Sequence, residues 1–190
     1  WQVPIVWLEY RSRYNYSVVS YETASRNGEP FEQLIVDKSY LPNMMARFCT
    51  SELKVLTIER YLKDKGITAW ETAVGIRADE PRRVAKMRQK EGYRTPLADA
   101  KVTKQDVISF WELQDFDLQL PKSGYYSNCD LCFLKGYGIK QSLVNENPQL
   151  AEWWEYQEFL IGTRFRADQP SYKQMIASTA SQEDLFGYDE

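Results

Sequence analysis

Short β-branched runs alternate with capped helical segments along this chain, and no other feature of the sequence constrains the fold as much. Residues 3–9 (Val-Pro-Ile-Val-Trp-Leu-Glu) read as a buried strand, and residues 16–21 as a second, shorter one. Asn27-Gly28 signals a turn, Pro30 opens a helix over 31–38, and Pro42-Asn43 breaks the chain again. Thr50 as N-cap, Glu52 in the first turn and Gly66 past the end frame a helix whose Val55, Ile58 and Leu62 share one face. Residues 71–76 read as a strand, and 84–94 as a basic, mobile loop. Thr103-Lys-Gln-Asp106 is a capping-box start for a helix with Val107, Phe110 and Trp111 on one side. Residues 124–128 form a polar, Gly-bearing approach to a pair of cysteines. Asn147-Pro148 starts a helix through 157, where Trp153-Trp154 reads as a hydrophobic anchor rather than a base-stacking platform. Pro170-Ser171 starts a last short helix. The expectation is an α/β fold with a mostly parallel sheet.

With 190 residues the chain can fill one domain core, with a small appendage. A hydrophobic share of 43% against 27% charged is that of a soluble globular protein, and the net charge of −3 supplies no general attraction to polyanions or anionic membranes. Direct nucleic-acid binding is therefore not expected, and any phosphate must meet a local basic cluster. No apolar run approaches a membrane span and no signal peptide is visible, so no membrane partner is expected. The abrupt start on an apolar strand, without an initiator Met, reads as a fragment lacking its N-terminal part.

The chemistry is narrowed by three cysteines and no histidine. Without histidine the Ser-His-Asp and Cys-His schemes fail, as do most soft-metal ligand sets. An odd number of cysteines argues against a secreted disulfide framework and for a reducing cytoplasm. Cys129-Asp-Leu-Cys132 brings two thiols together, which suits a metal or a redox disulfide.

Three constellations carry candidate chemistry. In Arg47-Phe-Cys49-Thr-Ser-Glu-Leu-Lys54, arginine, thiol and lysine share one helix turn, and Cys49 stands just before the helix N-terminus, where the dipole favours a thiolate. The plainer reading is a small buried Cys49 and a solvated Lys54. In Gly75-Ile-Arg77-Ala-Asp-Glu-Pro-Arg82-Arg83 a strand ends in glycine, and three arginines with two acids follow, where α/β folds place ligands. Arginine forks suit phosphate or sulfate; the plainer reading is a solvated charged loop. In Asn128-Cys129-Asp-Leu-Cys132-Phe-Leu-Lys135-Gly136 two ligands of a zinc or iron–sulfur site stand beside Lys135, a further anion contact; the plainer reading is a chance pair of buried thiols.

The order of these motifs, Cys49-Thr-Ser-Glu-Leu-Lys54, then 75–83, then Pro96-Leu-Ala-Asp99 with Asp106-Val107, then Cys129-x-x-Cys132, resembles the phosphoadenosine phosphosulfate (PAPS) reductase family of the PP-loop, or adenine nucleotide α-hydrolase, superfamily. The match runs over about residues 3–136 and is nearest to the members common in phages and bacterial genomes. The resemblance implies a doubly wound, mostly parallel sheet with flanking helices, first strands absent, over 1–136. A helical extension over 137–177 and a polar, disordered tail over 178–190 complete the expected organisation.

The resemblance also implies a function. It points to a cytoplasmic, adenine-nucleotide-binding enzyme (ATP, or PAPS and its unphosphorylated form) acting on sulfur. The reaction is reduction of an adenylylated sulfate or sulfur transfer, with an electron donor or sulfur carrier as partner, and a homodimer is allowed. Lys54, Arg77, Arg82 and Arg83 contact the phosphates or sulfate. Phe48 replaces the first cysteine of the family's Cys-Cys pair, so Cys49, Cys129 and Cys132 hold a 4Fe–4S cluster with one open position, zinc being the alternative. The family's Ser-Gly-Gly-x-Asp/Thr-Ser phosphate loop is expected upstream of Trp1. Its Glu-Cys-Gly tail is absent after Gly162, which argues against thioredoxin-linked PAPS reduction. The alternative is a non-catalytic nucleotide- or zinc-binding module, or a subunit of a larger DNA- or RNA-sulfur-modifying complex.

Overall fold

The computed structural model describes residues 3–116, 126 and 129–186, with side chains through 179. The 124–128 approach to the cysteine pair lies, Tyr126 apart, outside the described residues, as do side chains beyond 179. The fold is mixed α/β with small sheets. Two compact units divide the chain: Trp1–Lys65 together with Ser123–Glu190, and Gly66–Lys122. These boundaries differ from the divisions at 136 and 177 expected from the motifs.

The first unit opens with an antiparallel hairpin, β1 (Trp7–Ser12) and β2 (Asn15–Val19), in which Leu8 faces Val18 and Tyr10 faces Tyr16, with an irregularity between Tyr10 and Ser12. Only Arg13 and Tyr14 separate the strands, and so short a link permits antiparallel pairing alone. The expected buried strand over 3–9 therefore begins later. Val3, Ile5 and Val6 stand exposed before it, outside the paired strands.

Helix α1 (Glu29–Lys38) starts after Gly28, whose φ of 88° sets the turn. A Cβ at Gly28 would come within 2.8 Å of the Trp153 indole nitrogen, so both conformation and space require glycine there. A continuous helix follows, running as α2 (Phe48–Thr50), a π-helical stretch (Ser51–Leu56) and α3 (Thr57–Asp64). It begins two residues before the expected cap. Arg47 occupies the N-cap position without a side-chain bond, and Thr50 lies inside the helix. Glu52 ties this helix to α1: it accepts from Lys38 Nζ at 2.8 Å and from Arg60 Nη2 at 3.2 Å.

The rest of the unit is helical: α7 (Tyr137–Glu146), a 3-10 turn (Pro148–Ala151), α8 (Glu152–Ile161) and α9 (Tyr172–Phe186). The last helix runs past Ser178, where a polar tail was expected. These helices close one core with α1: Ile35, Leu41, Leu131, Phe133, Leu143, Val144, Trp154, Phe165, Tyr172 and Met175 are all buried. Trp154 lies within it and Trp153 packs 5.2 Å from Phe31, as an anchor does.

The second unit, described by itself, contains β3 (Thr72–Ala73), α4 (Pro81–Arg88), β4 (Tyr93–Arg94), α5 (Pro96–Asp99) and α6 (Lys104–Glu112). β3 and β4 pair in parallel around the intervening helix, a small βαβ arrangement. The expected mobile loop over 84–94 is corrected here. Pro81 starts a helix, Val84 is buried, and the chain returns as a strand at Tyr93. The Thr103 capping box is formed, with Thr103 and Asp106 bonded reciprocally, but none of the apolar residues of α6 is buried.

Candidate thiol site

The stretch Cys129–Phe133 is fixed by its carbonyls. Cys129 O accepts from Cys132 N–H at 3.3 Å, and Cys132 O from Lys135 N–H at 2.9 Å. Asp130 O accepts from Lys135 Nζ at 2.7 Å, Leu131 O from the Tyr172 phenol, and Phe133 O from Arg166 Nη1 at 3.4 Å. Every carbonyl from 129 through 133 thus has a donor. The side chains of Leu131 and Phe133 are buried in the core, and Cys129 is exposed with Cys132 half-buried. A segment held at each carbonyl presents its two sulfurs from a fixed backbone.

Cys49 joins this pair from the first turn of α2. It packs against the same core cluster as Cys132; Cys132 acts on the ionisation of Cys49 and Cys129, and Cys49 on that of Cys129. Burial first, and then the Cys132 charge, push the Cys49 thiol above its ordinary range. Burial, Cys132 and Cys49 raise Cys129 in the same way, opposed by the Lys54 ammonium. The expected thiolate-favouring effect of the helix start at Cys49 is therefore outweighed: desolvation and a neighbouring thiol act against the charged form. All three cysteines are free of disulfides. Among the described residues, no three Cys, Asp or Glu side chains stand close enough together to hold a metal ion.

Polar groups gather around Tyr172 and Phe133. Lys140 is only 1% exposed, and its Nζ lies 5.0 Å from the centre of the Tyr172 ring. Burial, with Arg166 nearby, pushes its ammonium down to about 8. Glu158 accepts from the backbone N–H groups of Phe165 at 3.1 Å and Tyr172 at 3.0 Å, and burial raises its carboxyl. Arg166 forks onto Asp168, whose carboxyl that bond holds down to about 2. None of these residues stood out as functional in the sequence. The signal was there for Lys140, which falls on one helical face with Leu143 and Val144, where a core residue belongs.

The anion candidates fall in different places. Lys54 is exposed on the π-helical stretch and acts on Cys129, and Lys135 belongs to the cysteine segment itself. Arg77, Arg82 and Arg83 belong to the second unit. Arg77 is bonded to Asp79 at 2.9 Å and paired with Glu80 at 3.5 Å, and Arg83 is paired with Glu80. Arg82 is exposed at the start of α4, with no ion pair among the described residues. Ala78, Pro81, Val84, Ala85, Arg88 and Ala98 line a cleft of about 280 Å³ beside this loop.

Over 108 residues the chain is 35% identical to an uncharacterized nin region protein, ORF290, of Escherichia phage lambda. The aligned stretch is 56% of this chain and 35% of that protein, so the chain spans about a third of the length of the curated relative it matches. No family model matches the chain, and no solved structure does.

Proposed function

We propose that this chain is part of a PAPS-reductase-like, adenine-nucleotide-binding protein that acts on sulfur, by reducing an adenylylated sulfate or by transferring sulfur. The observation that carries the reading is the meeting of all three cysteines of the sequence, Cys49 from one stretch and Cys129 and Cys132 from another, in one neighbourhood of one compact unit. The likeness to a phage lambda protein supports the phage type of this family. In this reading the short parallel pair around α4 belongs to a larger, doubly wound sheet, and the first strands and phosphate loop come from elsewhere in a longer protein.

Cys49, Cys129 and Cys132 would hold a 4Fe–4S cluster, with zinc as the alternative. The donor set fits in kind: three soft sulfurs whose mutual repulsion a cation relieves. The side chains as they stand are not yet gathered, so binding requires them to close in. A cluster held by three thiolates supplies an iron with an open position for a sulfur-bearing ligand. Lys54 and Lys135 would lend positive charge beside the thiols, and Arg82, which has no ion pair among the described residues, would be the phosphate contact. Anaerobic purification with metal and sulfide analysis, followed by titration with adenine nucleotides, tests the proposal. Bound iron and saturable nucleotide binding are expected; a metal-free, colourless protein without nucleotide affinity would sink it.

The pairing of Arg77 and Arg83 with Asp79 and Glu80 favours a second reading, a non-catalytic nucleotide- or zinc-binding module of a larger complex. Stoichiometric zinc without nucleotide binding would select it.

A further inference from the structure

We infer that Cys129 and Cys132 form a two-electron redox pair, which closes to a disulfide across its own turn as it reduces a disulfide substrate. The inference goes beyond the cluster reading and does not need it, because a disulfide joins two thiols and leaves Cys49 out. A disulfide and a bound metal exclude one another at this pair.

The backbone is already set for the ring. Cys132 N–H donates to Cys129 O at 3.3 Å, so Cys129-Asp130-Leu131-Cys132 is a hydrogen-bonded four-residue turn. Such a turn keeps its first and last Cα atoms within about 7 Å, and a disulfide spans Cα atoms about 4.4–6.8 Å apart. Lys135 Nζ holds Asp130 O at 2.7 Å and the Tyr172 phenol holds Leu131 O, so the carbonyls of both central residues are anchored. The Leu131 side chain, buried in the core, fixes the turn from within. Closing the ring then takes rotation about the cysteine side-chain bonds and no rearrangement of the fold. Two thiols held on one turn react with each other at high effective concentration.

The two sulfurs differ in access, and the difference assigns their roles. Cys129 is exposed and Cys132 half-buried. The Cys129 thiolate attacks one sulfur of the substrate disulfide, forming a mixed disulfide and releasing the first substrate thiolate. The Cys132 thiolate then attacks the Cys129 sulfur, breaks the mixed disulfide and releases the second. The pair gives two electrons to the substrate, and its two thiol protons pass through solvent to the two released thiolates. The products are two substrate thiols and one Cys129–Cys132 disulfide. With all three thiols free, the structure shows the reduced form of the pair.

The test incubates the reduced full chain, anaerobically and after chelation of any metal, with oxidised glutathione or with insulin as a protein disulfide. Peptide mass spectrometry then maps the cysteines. A Cys129–Cys132 disulfide is expected. Closure by glutathione assigns a small disulfide as substrate, and closure by insulin alone assigns a protein one. Cys132→Ser should lose closure and stop at a mixed disulfide on Cys129; should it not fold by circular dichroism, Cys132→Ala carries the comparison. A pairing through Cys49, a wild-type chain that stops at the mixed disulfide, or no reaction with either probe would overturn the inference.

Discussion

Tyr172 donates its phenol hydrogen to the carbonyl oxygen of Leu131, the residue between Asp130 and Cys132, and so joins the last helix of the chain to the cysteine segment. Both residues are fully buried, and the bond spans 41 positions of sequence. Tyr172→Phe removes it with little change of shape and leaves a buried carbonyl without its donor. The expected cost is about 1–2 kcal/mol in urea unfolding, with faster alkylation of Cys132. Unchanged stability and unchanged labelling would show that the segment holds itself without α9.

Glu52 makes the corresponding link for the Cys49 helix. Burial pushes its carboxyl up, but the bonds from Lys38 and Arg60 outweigh this and hold it below the usual carboxylate range. Glu52→Gln keeps the shape, loses the charge, and should destabilise the chain by about 2 kcal/mol in denaturant unfolding. Because the folded value is lowered, the contribution is complete above the ordinary value of 4.5 and disappears as pH falls through the depressed one. Wild type and the variant should therefore converge in acid.

The Lys140 ammonium titrates in the opposite sense. Its folded value of about 8 lies under the unfolded 10.5, so between them the unfolded chain binds more protons. Stability lost to burying the charge below pH 8 is regained as pH rises toward 10.5, by about 3 kcal/mol in all. The difference in unfolding free energy between Lys140→Met and wild type should shrink over that interval. A difference independent of pH would mean that Lys140 stays protonated in the folded chain.

At Gly28, Ala meets both a φ of 88° and the Trp153 indole at 2.8 Å. Gly28→Ala should cost about 2 kcal/mol and change the tryptophan fluorescence, because the indole must move to admit the methyl group. A neutral substitution would show that α1 can start one residue later.

The legible parts of the fold were those with local chemistry. The capping box at Thr103, Pro30 in the first turn of α1 and Gly66 after α3 each act within one turn, and each marks its element. The misread segments depend on distant or geometric terms. The basic residues of 84–94 suggest a loop, but Pro81 and the single buried Val84 are enough to seat a helix over Pro81–Arg88. The apolar run 3–9 reads as a buried strand, whereas the two-residue link between Ser12 and Asn15 sets a hairpin whose first strand begins only at Trp7. The three cysteines stand out because their chemistry is rare in this sequence; they lie in one compact unit, but among the described residues they are not close enough together to hold a metal ion. Lys140 was legible only as a core-facing position on one face with Leu143 and Val144; its approach to the Tyr172 ring appears once α7 and α9 are packed together.

The full set of carbonyl bonds along Cys129–Phe133 has a consequence for how anything is captured there. The entropy of ordering that backbone is lost when the chain folds, before any ligand arrives. A ligand then has to immobilise only the sulfur-bearing side chains, which favours affinity through preorganisation. In the thiol-site reading proposed above, adjustment to ligands of different size would fall to χ1 rotations of the thiols, because the backbone of the segment is already committed.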